Sequence, residues 1–349
     1  MKTPLIFDGH NDVLLKQYKG GAAARAAFKT GNDLHIDMPK ARKGGFGGGF
    51  FAIWVPSEMD GEAMDARMSQ PAYDIAMPEP LDHGFALSVA MKQARMLADL
   101  ETDKALKICT STQEIRDTME SGTMAAIMHM EGAEAIDRDL DALHVFYRAG
   151  LRSLGPVWSR STIFAHGVPF RFPSSGDTGP GLTDAGFDLV RACNQLGIML
   201  DMSHLNEAGF WDVVKTSDAP IVATHSNAYE ICPNARNLSN DQLHAIRDSG
   251  GMVGLNYATA FLRPDGMMRA DTGLDVLLRH LDHMLEHAGE DQVGLGSDFD
   301  GAMVPEGIGD ISGLPNLRAA MQAHGYSDEL ITKICHDNWL RMLAVTWGE

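Results

Sequence analysis

Short apolar runs recur along the chain, and most end on a polar or charged residue. Leu5–Phe7 leads into Asp8-Gly9-His10, Gly49–Val55 ends at Pro56, Met124–Met130 ends at Glu131-Gly132, and Leu151–Trp158 follows Gly150. Gly197–Met202 leads to Ser203-His204, Pro220–Thr224 to His225, Gly251–Asn256 to Tyr257, and Gln292–Leu295 to Gly296-Ser297-Asp298. Runs of this length bounded by turn residues read as buried strands. Helical patterns separate most of them. Ala86–Leu100 is rich in good helix formers. Thr183–Leu196 starts on a capping residue and is followed by Gly197; Ser239–Asp248 and Leu274–His287 behave alike. Strand alternating with helix predicts an α/β fold with a parallel sheet. Eight such units predict a (β/α)8 TIM-type barrel, which needs about 250 residues. The 349 residues are therefore read as one barrel domain, 1–349, with loop insertions at Gly20–Ala41, Pro56–Gly84 and Ser159–Gly181. An open doubly wound sheet is the alternative. The glycine run Gly44–Gly49 comes before a strand rather than after one, so it reads as close backbone packing and not as a phosphate loop.

Charge narrows the function. With 29 Lys+Arg against 47 Asp+Glu, the net charge is −18, which argues against nucleic acid or an anionic membrane as partner. No apolar run is long enough to span a bilayer, and Met1–Ile6 does not resemble a signal peptide. The four cysteines are widely spaced, without a Cys-x-x-Cys pair, so a cytoplasmic location is expected. Most of the 21 methionines read as core filler or exposed loop, with Met59, Met64 and Met68 in the second group.

The chemistry lies in what closes the runs. In a barrel of this kind the strand C-termini converge on the active face. They carry His10 and Asp12, Glu131, His204, His225 and Asp298, all potential metal ligands. Each alone reads as an ordinary core or loop residue; together, at the same end of separate strands, they read as a site. His10 and Asp12 share one face of an extended strand and suit one cation. His204 and His225 suit a second, with Glu131 as a bridge. Imidazole plus carboxylate favours zinc, with manganese or iron as alternatives. Two such ions can activate water and polarise a carbonyl. Asp298 is then free to carry a proton as base and acid. A second histidine stripe, His280, His283 and His287, falls in the helix before the last strand and therefore outside the barrel. No His-Glu-x-x-His and no Gly-x-Ser-x-Gly is present.

Six segments resemble the membrane (renal-type) dipeptidases, peptidase family M19. They are FDGHNDVLL (Phe7–Leu15), MPKARKGGFGGGFFAIW (Met38–Trp54), HMEGAEAI (His129–Ile136), DMSHLNEAGFWDV (Asp201–Val213), THSNAYEICPNARNLSNDQL (Thr224–Leu243) and GLGSDFDG (Gly294–Gly301). The resemblance implies a barrel with two zinc ions, held by His10 and Asp12 on one side and His204 and His225 on the other, with Glu131 between. It implies that Asp298 is the acid/base, that Arg236 binds the substrate's terminal carboxylate, and that Tyr257 contacts substrate. It further implies a dipeptidase tolerant of a D-residue at the C-terminal position, and it allows a homodimer. One departure stands out. Where the family has a histidine after the fourth strand that stabilises the oxyanion, this chain reads LGPVWSRS, with Trp158 in its place and His166 downstream as a substitute. Two other readings stay open: a binuclear amidohydrolase acting on cyclic amides or lactones, and a non-catalytic relative that binds peptides.

Overall fold

The computed structural model describes residues 3–57 and 61–349. Among these, eight parallel strands close into a barrel: β1 (Ile6–Asn11), β2 (Phe46–Trp54), β3 (Met124–Glu131), β4 (Leu151–Gly155), β5 (Met199–Leu200), β6 (Val222–Ala223), β7 (Met252–Leu255) and β8 (Val293–Leu295). Two single bridges complete the ring, Asp201 with Val222 and Asn11 with Phe299. They are reinforced where Met202 N donates to Val222 O at 2.7 Å and Asp12 N to Phe299 O at 2.8 Å. This closure settles the fold as an α/β barrel rather than an open sheet.

All eight expected strands are present, and the helical patterns between them form helices. The helix Asp184–Leu196 starts with Thr183 Oγ1 accepting from Gly186 N and stops at Gly197, whose φ of 68° suits glycine. The helix Asn240–Asp248 carries a capping box between Ser239 and Gln242. The insertions are more ordered than expected. Tyr73–Ile75, from one, pairs antiparallel with Phe170–Phe172, from another. Each segment has only three residues, too few for a periodic signal, so only the distant pairing makes them strands. A further strand, Leu106–Ile108, pairs with the first half of β3 (Met124–Ala126), below the stretch of β3 that pairs with β4.

Both faces of the barrel wall are buried, and the two sides of β3 show how they are used. Met124, Ala126, Met128 and Met130 pack outward against the helices. Ala125 and Ile127 face inward with Phe7, Phe50, Met199, Val222 and Met252. The floor of the barrel is closed by Trp339, from the helix Asn338–Trp347, whose indole donates to Leu295 O at 3.0 Å. A Cβ on Gly9 would stand 2.6 Å from that ring and one on Gly294 2.7 Å from its nitrogen, so these two strand glycines make room for it. Trp339→Ala is expected to cost about 3–5 kcal/mol, read as a lower urea midpoint with an unchanged slope. A midpoint equal to wild type would exclude the plug role. Among the described residues no helix is long and apolar enough to cross a membrane.

Candidate metal centre

The barrel interior becomes polar towards the strand C-termini, and the predicted ligands meet there. Glu131, the last residue of β3, extends one oxygen to each side. Its Oε2 lies 3.5 Å from His10 Nε2, which lies 3.5 Å from Asp12 Oδ2. Its Oε1 lies 3.1 Å from His204 Nε2 and 3.5 Å from His225 Nε2, and those two nitrogens are 3.1 Å apart. Donors sharing one tetrahedral ion at bond lengths of about 2.0–2.1 Å sit roughly 3.3 Å from each other. Both halves of the cluster therefore have cation spacing. Among the described residues neither ring nitrogen of buried His10 makes a hydrogen bond, and its Nε2 faces only the two carboxylates at 3.5 Å, which fits a group meant to bind an ion.

Neighbouring side chains aim the imidazoles. Thr224 Oγ1 donates to Asp201 Oδ2 at 2.6 Å, so it accepts from His225 Nδ1 at 2.8 Å and leaves the Nε2 lone pair facing Glu131. Ser159 Oγ sits 2.8 Å from His204 Nδ1 and does the same for that ring. His204 and Asp298 both adopt left-handed backbone, with φ of 68° and 60°, which turns their side chains into the barrel mouth. Such strain in non-glycine residues is tolerated where the surroundings enforce it.

The electrostatics match. Burial holds His204 and His225 well below the ordinary imidazole range, Arg236 adding to the effect, so both rings are neutral. Burial pushes Glu131 well up, with Asp12 and Asp298 adding repulsion. Burial opposes charge on His10, yet Glu131 and Asp12 together lift it to about 10. With His204 and His225 neutral, the buried carboxylates are faced by a protonated His10 and by Arg236, and bound cations would take over the place of the His10 proton. Burial and Asp12 also raise Asp298, while Asn256 Nδ2 donates to its Oδ2 at 3.1 Å and fixes its direction.

Above this floor opens a cavity of about 490 Å³, reached by Asp12, Glu131, His204 and Asp298. Trp158 forms part of its wall, with ring centroids 5.0 Å from Trp54, 5.5 Å from Phe170 and 5.9 Å from His204. Met64 and Met68 line the cavity too, and Met68 is buried, against the expectation of an exposed loop; Met59 lies outside the described residues. Arg236 is buried, donates from Nη2 to His225 O at 3.1 Å and leaves Nε without a partner among the described residues. Its guanidinium lies 5.4 Å from the Phe261 ring, which lines the cavity.

Of the four predicted substrate contacts only Trp158 lines the cavity; Arg236, His166 and Tyr257 do not. His166 lines a separate cleft with Ser161 and Arg171, its Nδ1 3.3 Å from Ser161 Oγ, while the backbone of residues 166–168 pairs with that of residues 204–206. Tyr257 is fully buried, its ring edge-on to Phe299 at 5.6 Å, and points into the core. The outer histidine stripe is structural: His280 Nδ1 accepts from Ala228 N at 3.1 Å, and Nε2 faces Leu262 O at 2.8 Å. The sequence reading missed His129 and Asp201. His129 is two residues before Glu131 on the same strand face, its ring 5.6 Å from His10 and its Nε2 3.5 Å from Asp201 Oδ2. The two-residue strand period was the available signal.

Comparison with known proteins agrees over the whole chain. The family model described as "Membrane dipeptidase (Peptidase family M19)" matches residues 1–346. A crystal structure of a metallo peptidase from Rhodobacter sphaeroides, liganded with a phosphinate mimic of the dipeptide L-Ala-D-Ala, is 52% identical with a TM-score of 0.97, covering 99% of this chain and 100% of that one. An uncharacterised protein in the pqqA 5' region of Klebsiella pneumoniae is 44% identical over 268 residues, 76% of this chain and 99% of that protein. The probable dipeptidase PvdM from Pseudomonas aeruginosa, 24% identical with a TM-score of 0.83 over 99% of this chain and 96% of that one, shares the fold.

Proposed function

The chain belongs to the membrane dipeptidase family, peptidase family M19, and from that premise we propose how this metallo-dipeptidase holds its metals and substrate. The observation that carries the reading is Glu131, whose two oxygens each face a separate set of donors. His10 and Asp12 would hold one zinc ion and His204 and His225 the other, with Glu131 shared. The ions would supply water activation and polarisation of the scissile carbonyl. Asp298 takes the proton from the water and delivers it to the leaving amine, a task suited to a carboxylate whose burial raises its proton affinity. Arg236 offers its planar fork to the substrate's terminal carboxylate, which limits cleavage to dipeptides. The relative that binds an L-Ala-D-Ala mimic supports acceptance of a D-residue at the C-terminal position. Four buried cysteines, none in a disulfide, suit a reducing compartment, and we place the protein in the cytoplasm.

Zinc analysis combined with a peptide panel tests this. Close to two zinc per chain is expected, with cleavage of L-Xaa-L-Xaa and L-Xaa-D-Xaa. Cleavage should stop with chelator and return with zinc. Tripeptides and C-terminally amidated dipeptides should be poor substrates, because the Arg236 contact is lost. Equal cleavage of the amidated substrate would remove Arg236 from its assigned role.

A further inference from the structure

Three loops at the barrel mouth meet at one buried arginine. Arg160 follows β4 and is fully buried. Its Nε and Nη2 donate to Glu134 Oε1 at 2.9 and 2.6 Å, and Nη2 also donates to Val55 O at 3.0 Å. Val55 follows β2 and the cavity residue Trp54. Glu134 follows β3, three residues beyond Glu131. Its carboxylate folds back over Gly132, where a Cβ would stand 2.4 Å from Oε2 and where φ is +85°. The same Arg160 lies 5.6 Å from the Trp158 ring, within cation–π reach. Between Trp158 and Arg160 stands Ser159, whose hydroxyl meets His204 Nδ1.

We infer that the Arg160–Glu134 pair is a positioning device for the reaction. It sets Trp158 as the wall of the substrate cavity and Ser159 as the support of His204, and it ties both to the strand end that carries Glu131. Neither Glu134 nor Arg160 lines the cavity, and neither belongs to the candidate ligand set. The geometry separates this role from simple charge balance, because the pair reaches the ligand set through backbone on both sides: Gly132 next to Glu131, and Ser159 next to Arg160. The inference rests on the cation site proposed above.

Buried pairs can often be replaced by apolar residues of similar volume without loss of stability, whereas breaking one partner leaves a buried charge. The decisive variant is therefore the double replacement Glu134→Leu with Arg160→Met, beside Arg160→Lys. The double variant is expected to melt close to wild type. Its cation on the His204 side should be stripped at about 10–100-fold lower chelator concentration, as for loss of a ligand-orienting contact, and KM for dipeptides should rise. Arg160→Lys keeps the charge but not the fork, so it should recover melting temperature without recovering KM. A folded double variant with wild-type KM, kcat and chelator resistance would overturn the inference, as would Arg160→Lys recovering stability and KM in parallel. A wild-type protein without chelator-sensitive cleavage would instead reject the cation site itself.

Discussion

Asp298→Asn is expected to lower kcat by about 10²–10⁴-fold, the usual contribution of a positioned acid/base. The side chain keeps its shape, and the amide oxygen of the substitute can still accept from Asn256 Nδ2, now 3.1 Å from Asp298 Oδ2. What is lost is the ability to take and return a proton. Asp298 also lies within metal-binding distance of His10 and Asp12 as a group. Metal content therefore decides between two roles. If Asp298 is the proton carrier, the variant retains its cations and its KM while kcat collapses. Loss of a cation along with activity would make it a ligand and leave the acid/base unassigned.

Glu131→Gln is expected to weaken both proposed cation sites together. One carboxylate faces His10 and Asp12 through Oε2 and the His204–His225 pair through Oε1, so its replacement weakens two sites at once. An amide offers one neutral oxygen and one N–H donor in place of two charged acceptors. Losing several kcal/mol of metal-derived stabilisation corresponds to a fall of about 10²–10³-fold or more in kcat/KM. Thermal denaturation gives a second reading independent of turnover. Under the proposed reading zinc should bind the folded wild type and raise its melting temperature in proportion to the logarithm of concentration. The same titration should leave the variant almost unmoved. Without metal the sign reverses: the variant should be at least as stable as wild type, because burial disfavours the charged form of Glu131. A variant that still responds to zinc like wild type would show that Glu131 does not join the two halves.

The local pattern was enough to locate the barrel strands and the residues at their ends. Short runs between helical segments call for a parallel sheet covered by helices on both faces; eight such units favour a closed ring over an open doubly wound sheet, and the bridges Asp201–Val222 and Asn11–Phe299 decided between them. The end residues follow from that arrangement: His10, Glu131, His204, His225 and Asp298 are far apart in the chain, but the ring brings strand termini together. Metal-ligand chemistry was legible because donor type is a property of the side chain alone.

Direction and distant pairing were not legible. Trp158, His166 and Tyr257 all follow strands, yet only Trp158 reaches the cavity. The difference lies in how each loop leaves the barrel and which way one side chain points, and neighbours distant in sequence set both. Tyr257 turns into the core against Phe299, and His166 stands in the cleft it shares with Arg171. The ribbon of Tyr73–Ile75 with Phe170–Phe172 has the same character, since three residues carry no period and become a strand only in each other's company. Trp339 closing the barrel floor and Arg160 tying three loops are likewise contacts between remote segments. The sequence by itself determined the α/β class and which potential ligands stand at the strand ends, because periodicity and side-chain chemistry are local. Only the tertiary structure decided which oxygen of Glu131 meets which imidazole and which aromatic ring lines the cavity, because those depend on packing between segments that no local pattern relates.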